Sequence, residues 1–410
     1  MPHILFVGVT RWSHERCARA VALGHRVTVI KPGPVRAAGQ HGGAPASRSC
    51  ATVHDSQVVP PGWGLRALTI AMADIHAAAP VDAVLVSDEA AIEATATACE
   101  VLGIPFTTAD GVRNARNKVR TRRTLAAAGL ASVRYKWAAD PPAAVAAAQR
   151  IGYPVVVKPV RGGDSRLTSR ADSAAAVWAT ARRIARYKPS AILVERHVSG
   201  RLLWVDIARA SGQSRVVAVF DRCATDVDEC RDIGAVLPAR IEPAELARCQ
   251  AYADSVCAAL GLDLGLFHLD LALTAAGPVL IEANPRMMGG VLPLLYRFAT
   301  GADIADVAIP VHLGAAPPPA AEPCHAAARK VMARDGGRTA THVNTAGLAR
   351  AVGADQFVNY AIRPGGWLQR GHVAAVILAA ADSSASAAAD AALARLAELI
   401  GVDLVRASPG

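Results

Sequence analysis

Three polar residues occur at alternate positions of "LIEANPRMMGG", residues 280–290, an otherwise apolar run that ends in two glycines. They are Glu282, Asn284 and Arg286. Alternate residues of a strand share one face, which predicts Leu280, Glu282 and Asn284 on the same side. Carboxylate and amide oxygens suit Mg²⁺, which usually completes its shell with water and substrate phosphates. The pattern therefore indicates a Mg²⁺ site.

The preceding run, "LFHLDLALT" (residues 266–274), has the same period of two. Phe267 and three leucines fall on one face, and His268 and Asp270 fall on the other. The letters "AAG" between the two runs predict a three-residue hairpin loop with Gly277 in the left-handed conformation.

A pair between Thr274 and Pro278 at this loop would place Asp270 opposite Glu282. The same register pairs the histidine two positions earlier with Asn284. Opposed Cβ atoms lie about 4.5–5.5 Å apart. Two carboxylates at this distance repel, so one is protonated or a cation lies between them. On the hairpin alone, a polar face exposed to solvent explains the pattern equally well.

Two lysines favour phosphate binding over an exposed hairpin. "GYPVVVKP" places Lys158 at the end of a strand, directly before the glycine-bearing loop "RGGDS". Loop amides and an ammonium group can both face phosphate oxygens. "NK" places Lys118 at the start of a helix, and "ILVERHVSG" is an apolar strand that ends in Glu195 at a turn.

These residues require a scaffold of strands and helices. "HILFVGV", "HRVTVIKPG" and "VDAVLVSD" alternate with helical segments, which predicts a parallel sheet covered by helices. A GxGxxG fingerprint is missing, so this Rossmann-like segment is not assigned a nucleotide. Residues 36–64 are rich in Gly, Ala, Ser and Pro and favour a surface connection. The proline-rich stretch "LGAAPPPAAEPCHAAA" marks the start of a C-terminal part.

Composition narrows the class of protein. The 410 residues are 52% hydrophobic and 19% charged, which predicts several packed domains and argues against disorder. The net charge is +10, but the arginines are scattered, so an anionic small ligand is favoured over nucleic acid. None of the 8 cysteines forms a CxxC pair. Without a signal peptide or a membrane-spanning run, we expect a reduced, soluble, cytoplasmic protein.

The motifs occur in the order "NKVRTRRTLAAAGL", "GYPVVVKPVRGGDS", "ILVERHVSG" and "FHLDLALTAAGPVLIEANPRMMGG". Together they resemble the ATP-grasp superfamily. The last motif and the chain length resemble its carboxylate–amine ligases, including the L-amino acid ligases of dipeptide and peptide natural-product pathways. The resemblance implies an α/β ATP-grasp fold in three parts. These are a Rossmann-like domain (1–110), an ATP-grasp region (111–315, with a lid at about 120–197 and a metal hairpin at about 266–285) and a C-terminal α+β domain (316–410).

The resemblance also implies a role for each motif residue. Phosphate binding falls to Lys118, Lys158, Gly162, Gly163 and Ser165. Adenine binding falls to Glu195, Arg196 and Val198. One or two Mg²⁺ ions, with Mn²⁺ as a substitute, would be held by Asp270, Glu282 and Asn284. Catalysis falls to Lys158 and Arg286, the latter stabilising an acyl phosphate. Room for the substrate would come from Gly289 and Gly290.

Two positions depart from the family pattern. The loop commonly has a further glycine two residues after its serine, but here Ser165 is followed by Arg166 and a leucine. Arg161 or Arg166 therefore becomes a candidate phosphate contact. A glutamate that binds the ribose often follows the hinge glycine by two residues; Leu202 stands there, and Asp206 is the candidate substitute.

The implied reaction joins a small-molecule carboxylate to an amine. ATP phosphorylates the carboxylate to an acyl phosphate, and the amine then displaces phosphate, leaving ADP and an amide. By resemblance the substrates are amino acids and the expected assembly is a homodimer, with no membrane partner. One alternative is another ATP-grasp chemistry, of the purine-pathway or biotin-carboxylase type. Another is a non-catalytic nucleotide-binding protein, against which the retained lysines, acids and arginine argue.

Overall fold

A computed structural model describes the protein at residues 1–8, 13–33, 53–162, 167–187, 191–224, 232–381 and 384–406. Three residues predicted to contact phosphates, Gly163, Ser165 and Arg166, lie outside these ranges. Within the ranges, no helix is long and apolar enough to cross a membrane. The cysteines described there are free thiols.

The N-terminal part is a parallel α/β unit. Its elements are β1 (His3–Val7), α1 (Ser13–Ala22), β2 (Arg26–Pro32), β3 (Asp55–Val59), α2 (Leu65–Ala78), β4 (Ala83–Val86), a 3-10 helix (Glu89–Ala91) and α3 (Ile92–Leu102). The strands pair in parallel in the order β3-β2-β1-β4. The predicted Rossmann-like sheet is confirmed. Strand β3 corrects the interpretation of residues 36–64 as only a surface connection.

A small antiparallel sheet follows two helices. The elements are α4 (Ala109–Arg116), α5 (Lys118–Ala127), β5 (Tyr135–Ala138), α6 (Pro141–Ile151), β6 (Val155–Pro159), β7 (Ser169–Ala171), α7 (Ala174–Tyr187) and β8 (Ile192–Arg196). The strand order is β5-β8-β6-β7. Helices α6 and α7 bury alternate Val and Ile residues of β6 and β8 on one face of this sheet. The side chains at the intervening positions of β6 and β8 lie on the other face, which these helices do not cover.

A large antiparallel sheet forms the rest of the scaffold. The elements are β9 (Arg201–Ala210), β10 (Gln213–Ala224), β11 (Asp232–Leu237), α8 (Pro243–Leu260), β12 (Gly265–Thr274), β13 (Gly277–Asn284), α9 (Leu292–Thr300), α10 (Ala305–His312), β14 (Ala326–Met332), β15 (Gly337–Arg338), a 3-10 helix (Thr345–Gly347), α11 (Leu348–Val352), β16 (Gln356–Asn359), β17 (Trp367–Leu368), β18 (Val373–Ala380) and α12 (Ala385–Ile400). The sheet order is β13-β12-β9-β10-β11-β14-β18-β16. It runs without a break past residue 316, because β11 pairs with β14.

Helix α8 covers one face of the hairpin formed by β12 and β13. As predicted, this buried face of β12 carries Phe267, Leu269, Leu271 and Leu273. Burying one such side chain contributes about 1.5–3 kcal/mol, so a slip of one residue that exposed all four would be strongly disfavoured. The apolar face thereby directs His268 and Asp270 to the opposite side of the sheet.

Candidate active site

The two strands of the hairpin are offset by a β-bulge. At the two-residue turn, Thr274 pairs with Gly277 and not with Pro278, so the predicted pair and the three-residue loop are wrong. One residue of β13 then lacks a partner, and beyond it Asp270 lies opposite Glu282. The predicted opposition of the two carboxylates is confirmed, but a bulge produces it and not the loop.

The same bulge moves Leu280 to the buried face. Strict alternation predicts Leu280 on the side of Glu282 and Asn284. Instead Leu280 lies in one core cluster with Leu271 and Ala283. The alternation fails because a bulge adds one residue, and residues on either side of it no longer follow a period of two.

Residues of β9, β12 and β13 form two rows on the polar face. The rows are Asp206–His268–Asn284 and Trp204–Asp270–Glu282. His268 Nδ1 lies 2.9 Å from Asp206 Oδ2, and the backbone N–H of Met288 donates to the other oxygen of Asp206 at 2.8 Å. Burial disfavours a charged imidazole, but Asp206 outweighs it and raises the pKa of His268. Because Asp206 is fully buried with both oxygens bonded, it does not fit the suggested ribose contact.

The two opposed carboxylates have different electrostatic surroundings. Burial raises the pKa of Asp270, and it outweighs the Arg222 guanidinium 3.6 Å away. Burial acts in the same direction on Glu282, but Lys118 and Lys158 outweigh it and lower the pKa of that carboxyl group. Lys118 Nζ lies 2.6 Å from Glu282 Oε1. Cations of the chain therefore relieve the repulsion between the acids, one beside each of them.

Lys118 reaches the hairpin from the first turn of α5. Asn117 ends α4 and caps α5, because its side chain accepts two backbone N–H groups of the first turn at 3.1 and 3.2 Å. Lys118 is 7% exposed, and its Nζ also donates to the carbonyl of Gly162 at 2.9 Å. It thus joins the end of the predicted phosphate loop to Glu282.

Lys158 and Glu195 project from the face of the small sheet that its helices leave open. Lys158 Nζ lies 2.7 Å from Glu195 Oε2, and Arg122 Nε donates to Glu195 Oε1 at 2.8 Å. Burial lowers the pKa of Lys158. For Glu195, burial is outweighed by Arg122 and Lys158, which lower its pKa to about 2. Arg122 was not among the predicted site residues, although its place four residues after Lys118 puts both on one helix face.

This cluster makes stability depend on pH in the acid range. Glu195 has a pKa of about 2 in the folded protein against an ordinary value of 4.5. At 1.36 kcal/mol per pH unit this corresponds to about 3 kcal/mol, present above pH 4.5 and lost as the pH falls towards 2. We expect the free energy of unfolding of the wild type, measured in urea, to approach that of Glu195→Gln between about pH 6 and about pH 3. Parallel stability curves would contradict this assignment.

The predicted adenine hinge lies where β8 ends. The carboxylate of Glu195 is enclosed by its two cations, and the backbone N–H of Arg196 donates to the carbonyl of Arg134 at 2.8 Å. Val198 follows in the connection to β9. The adenine-binding roles of Glu195, Arg196 and Val198 therefore stay predictions.

Arg286 contacts the N-terminal unit. Its Nη2 and Nε donate to Glu89 Oε2 at 3.0 and 3.3 Å, and its Nη1 donates to the carbonyl of Met287 at 3.0 Å. Arg116 forms an ion pair with the same glutamate. Glu89 was missed at the sequence level, because it lies 197 residues from Arg286 and belongs to no motif.

Glycine is favoured at the two positions after Met288, 289 and 290, for different local reasons. A Cβ at Gly289 would lie 3.2 Å from Arg286 Nη1, so this glycine leaves space for the guanidinium. Gly290 has a φ of 59°, in the left-handed region that glycine adopts without strain. A Cβ there would meet nothing within 4 Å. Their role in admitting the substrate stays a prediction.

The metal-binding prediction depends on a mixed set of oxygen donors. Among the described residues, no group of three or more His, Cys, Asp and Glu side chains could hold a metal ion. The hairpin instead offers the carboxylates of Asp270 and Glu282 and the amide of Asn284, in neighbouring rows of one face. Two carboxylates and an amide suit Mg²⁺ or Mn²⁺, which takes its other ligands from water and phosphate. The residues present therefore fit a divalent cation.

Comparisons with known proteins find a matching family model and relatives of part of the chain. Residues 151–293 match the family model described as the ATP-grasp domain. Carnosine synthase 1 of Gallus gallus is 33% identical over 128 residues, which cover 31% of this chain and 14% of that protein. D-alanine–D-alanine ligase of Mycobacterium tuberculosis is 29% identical over 205 residues, covering 45% of this chain and 54% of the ligase. The matches thus span less than two thirds of either relative.

Solved structures resemble the whole chain. L-amino acid ligase from Bacillus licheniformis has a TM-score of 0.78 at 18% identity, covering 100% of this chain and 99% of that one. Carboxyaminoimidazole ribonucleotide synthase from Aspergillus clavatus, solved with ATP, has a TM-score of 0.76 at 15% identity, covering 97% and 99%. At these identities the likeness shows the fold alone. Residues 151–293 therefore match the ATP-grasp domain, within a fold that these solved structures share over nearly the whole chain.

Proposed function

We propose that the protein is an ATP-dependent ligase that joins the carboxylate of an amino acid to an amine. The observation that carries the proposal is the convergence of two buried lysines on the polar face of the hairpin. Lys118 contacts Glu282, and Lys158 lies close enough to lower the pKa of the same acid. Arg286 follows Asn284 by two residues and lies at the contact with the N-terminal unit.

The chemistry consists of two substitutions. A carboxylate oxygen attacks the γ-phosphorus of ATP, the bond to the bridging oxygen breaks, and ADP leaves. The amine nitrogen then attacks the acyl carbon, the bond from carbon to the phosphate oxygen breaks, and the nitrogen loses a proton. Lys118 and Lys158 stabilise charge on the phosphoryl oxygens. Arg286 donates N–H groups to the oxyanion of the tetrahedral intermediate.

The charges of the site are already paired within the chain. Lys118 pairs with Glu282, and Lys158 pairs with Glu195. Asp270, Glu282 and Asn284 would hold Mg²⁺ or Mn²⁺, which would supply positive charge beside the transferring phosphoryl group. Phosphate oxygens are negatively charged, as the carboxylates of Glu282 and Glu195 are, so they offer Lys118 and Lys158 new ion-pair partners. Binding a polyphosphate with a divalent cation therefore leaves few charges in this buried site unpaired.

Amino acids are the substrates that the relatives favour. D-alanine–D-alanine ligase is named for joining two amino acids, and the hairpin lies within residues 151–293, which match the ATP-grasp domain. The likeness to carboxyaminoimidazole ribonucleotide synthase concerns the fold, so it does not select a substrate. Small amino-carboxylates are therefore the first class to test.

We expect amide formation to release ADP and phosphate in equal amounts. The purified protein is incubated with ATP, Mg²⁺ and pairs of amino acids, and phosphate release is followed with mass spectrometry of the products. Chromatography of the spent nucleotide distinguishes ADP from AMP. AMP and pyrophosphate, formed in step with the amide, would contradict the mechanism. Phosphate release with bicarbonate or a phosphoribosyl amine, and not with amino acids, would favour the alternative ATP-grasp chemistries.

A further inference from the structure

Arg122 is a buried cation of the site that lies in the motif "NKVRTRRTLAAAGL" but is assigned no role by the family resemblance. It lies on α5, four residues after Lys118, and is 1% exposed. Its Nε donates to Glu195 Oε1 at 2.8 Å. Its Nη1 donates to the carbonyl of Leu280 at 2.9 Å, and its Nη2 to the carbonyl of Ile281 at 2.7 Å. One side chain therefore connects α5, β8 and β13.

The two carbonyls bound by Arg122 belong to the bulge of β13. Ile281 is the residue without a partner on β12, and Glu282 is the next residue that pairs, opposite Asp270. Strand β13 is at the edge of the large sheet, where an isolated parallel bridge from Ser132 to Leu280 also contacts the bulge. The planar guanidinium presents several N–H groups in fixed directions, which matches two adjacent carbonyl oxygens and a carboxylate.

The bulge decides where Glu282 points. In a regular ladder Glu282 would lie opposite Leu269 and would face the leucine core, because a shift of one residue exchanges the two faces. Arg122 stabilises the bulged backbone directly before Glu282. It also contacts Glu195, which is the partner of Lys158. The lysine and the metal-binding acid therefore depend on one guanidinium.

We propose that Arg122 is a positioning residue that couples the nucleotide-binding strand β8 to the metal-binding carboxylates of β13. The inference rests on the proposed function, because it concerns the same nucleotide and cation. Arg122 does not contact the reacting atoms; it acts through Glu195 and the bulge. Without the planar guanidinium of Arg122, Glu282 is no longer held opposite Asp270. Binding of a divalent cation together with a nucleotide then weakens.

The test compares two arginines of equal burial. Arg122→Lys keeps the charge but removes the planar fork. The matched control is Arg329→Lys: Arg329 is also 1% exposed and donates to Asp390, Ser386 and the carbonyl of Ala328, in the C-terminal part of the sheet. We measure the Kd of Mn²⁺ in the presence of ADP by electron paramagnetic resonance, and the Tm of each variant. We expect the Kd to rise about 10–100-fold for Arg122→Lys and to stay unchanged for Arg329→Lys, even where both lower the Tm.

A milder variant keeps the test decisive if Arg122→Lys fails to fold. The Tyr252 hydroxyl accepts the backbone N–H of Leu280 at 3.0 Å, at the same bulge. Tyr252→Phe removes this contact without burying a charge, so we expect a smaller rise of the Mn²⁺ Kd in the same direction. Unchanged Mn²⁺ affinity in the folded variants of both residues would overturn the inference alone. Wild-type protein that binds no Mn²⁺ with ADP would overturn the proposed function and the inference together.

Discussion

Glu282→Gln should reduce kcat by about 10³-fold or more while the protein stays folded, because the change removes a carboxylate ligand proposed for the divalent cation beside the transferring phosphoryl group. Glutamine keeps the volume and one oxygen acceptor. Lys118 keeps its hydrogen bond to the carbonyl of Gly162, so its ammonium group is not left without a partner. The side chain of Glu282 is 25% exposed, and we expect the loss of stability to stay at about 1–3 kcal/mol.

A second carboxylate paired with a buried cation provides the control for Glu282→Gln. Asp390 accepts from Arg329 at 2.6 and 2.9 Å, on α12 and away from the hairpin. Asp390→Asn should cost stability of the same order and leave kcat unchanged. Activities are measured at ordinary and at raised Mg²⁺, together with urea denaturation. Activity of Glu282→Gln near that of the wild type at ordinary Mg²⁺ would contradict the metal-binding assignment.

Alternation of apolar and polar residues predicted the hairpin because burial acts on whole faces. The leucines of β12 lie on one face as expected, and this places Asp270 on the other. The pairing next to the turn was predicted one residue out of register. No local pattern marks the bulge at Ile281, which is stabilised by Arg122 from α5 and by Tyr252 from α8. Sequence periodicity therefore predicted the pair of acids without revealing the backbone irregularity that produces it.

Partners far apart in the chain were beyond sequence reasoning. Glu195 was predicted as an adenine contact from the family resemblance, and its pairing with Arg122 and Lys158 depends on how α5 packs against β8. Arg286 pairs with Glu89 of the N-terminal unit in the same way. Such pairs form where elements from different parts of the chain meet, and a motif within one element does not record them.

The large sheet continues past residue 316 because strands that are far apart in the chain pair with each other. A proline-rich stretch predicts a boundary near residue 316, and the chain does leave regular structure there. Strand β14 nevertheless returns to pair with β11. Composition marks where the backbone is irregular, but hydrogen bonding between distant strands decides which elements share a sheet.

Arg286→Lys should lower kcat by about 10²–10³-fold and leave the KM for ATP within about threefold of the wild type. Lysine keeps the positive charge, but it lacks the planar fork that can donate two N–H groups to an acyl phosphate or to its oxyanion. The side chain of Arg286 is 23% exposed, so folding should survive the change. Initial rates with varied ATP and amino acid, and calorimetric binding of ADP with Mg²⁺, separate the chemical step from nucleotide binding.

The matched variant for Arg286→Lys is Arg116→Lys. Arg116 pairs with the same glutamate, Glu89, and its side chain is 19% exposed against 23% for Arg286. Both substitutions weaken the contact between Glu89 and the ATP-grasp region to a similar degree. If Arg286 contacts the reacting group, Arg286→Lys should lose at least tenfold more kcat than Arg116→Lys, because only Arg286 adjoins Asn284 and the two glycines. Equal losses would mean that Arg286 acts only through Glu89, as a contact between domains, and would contradict its assignment to the acyl phosphate.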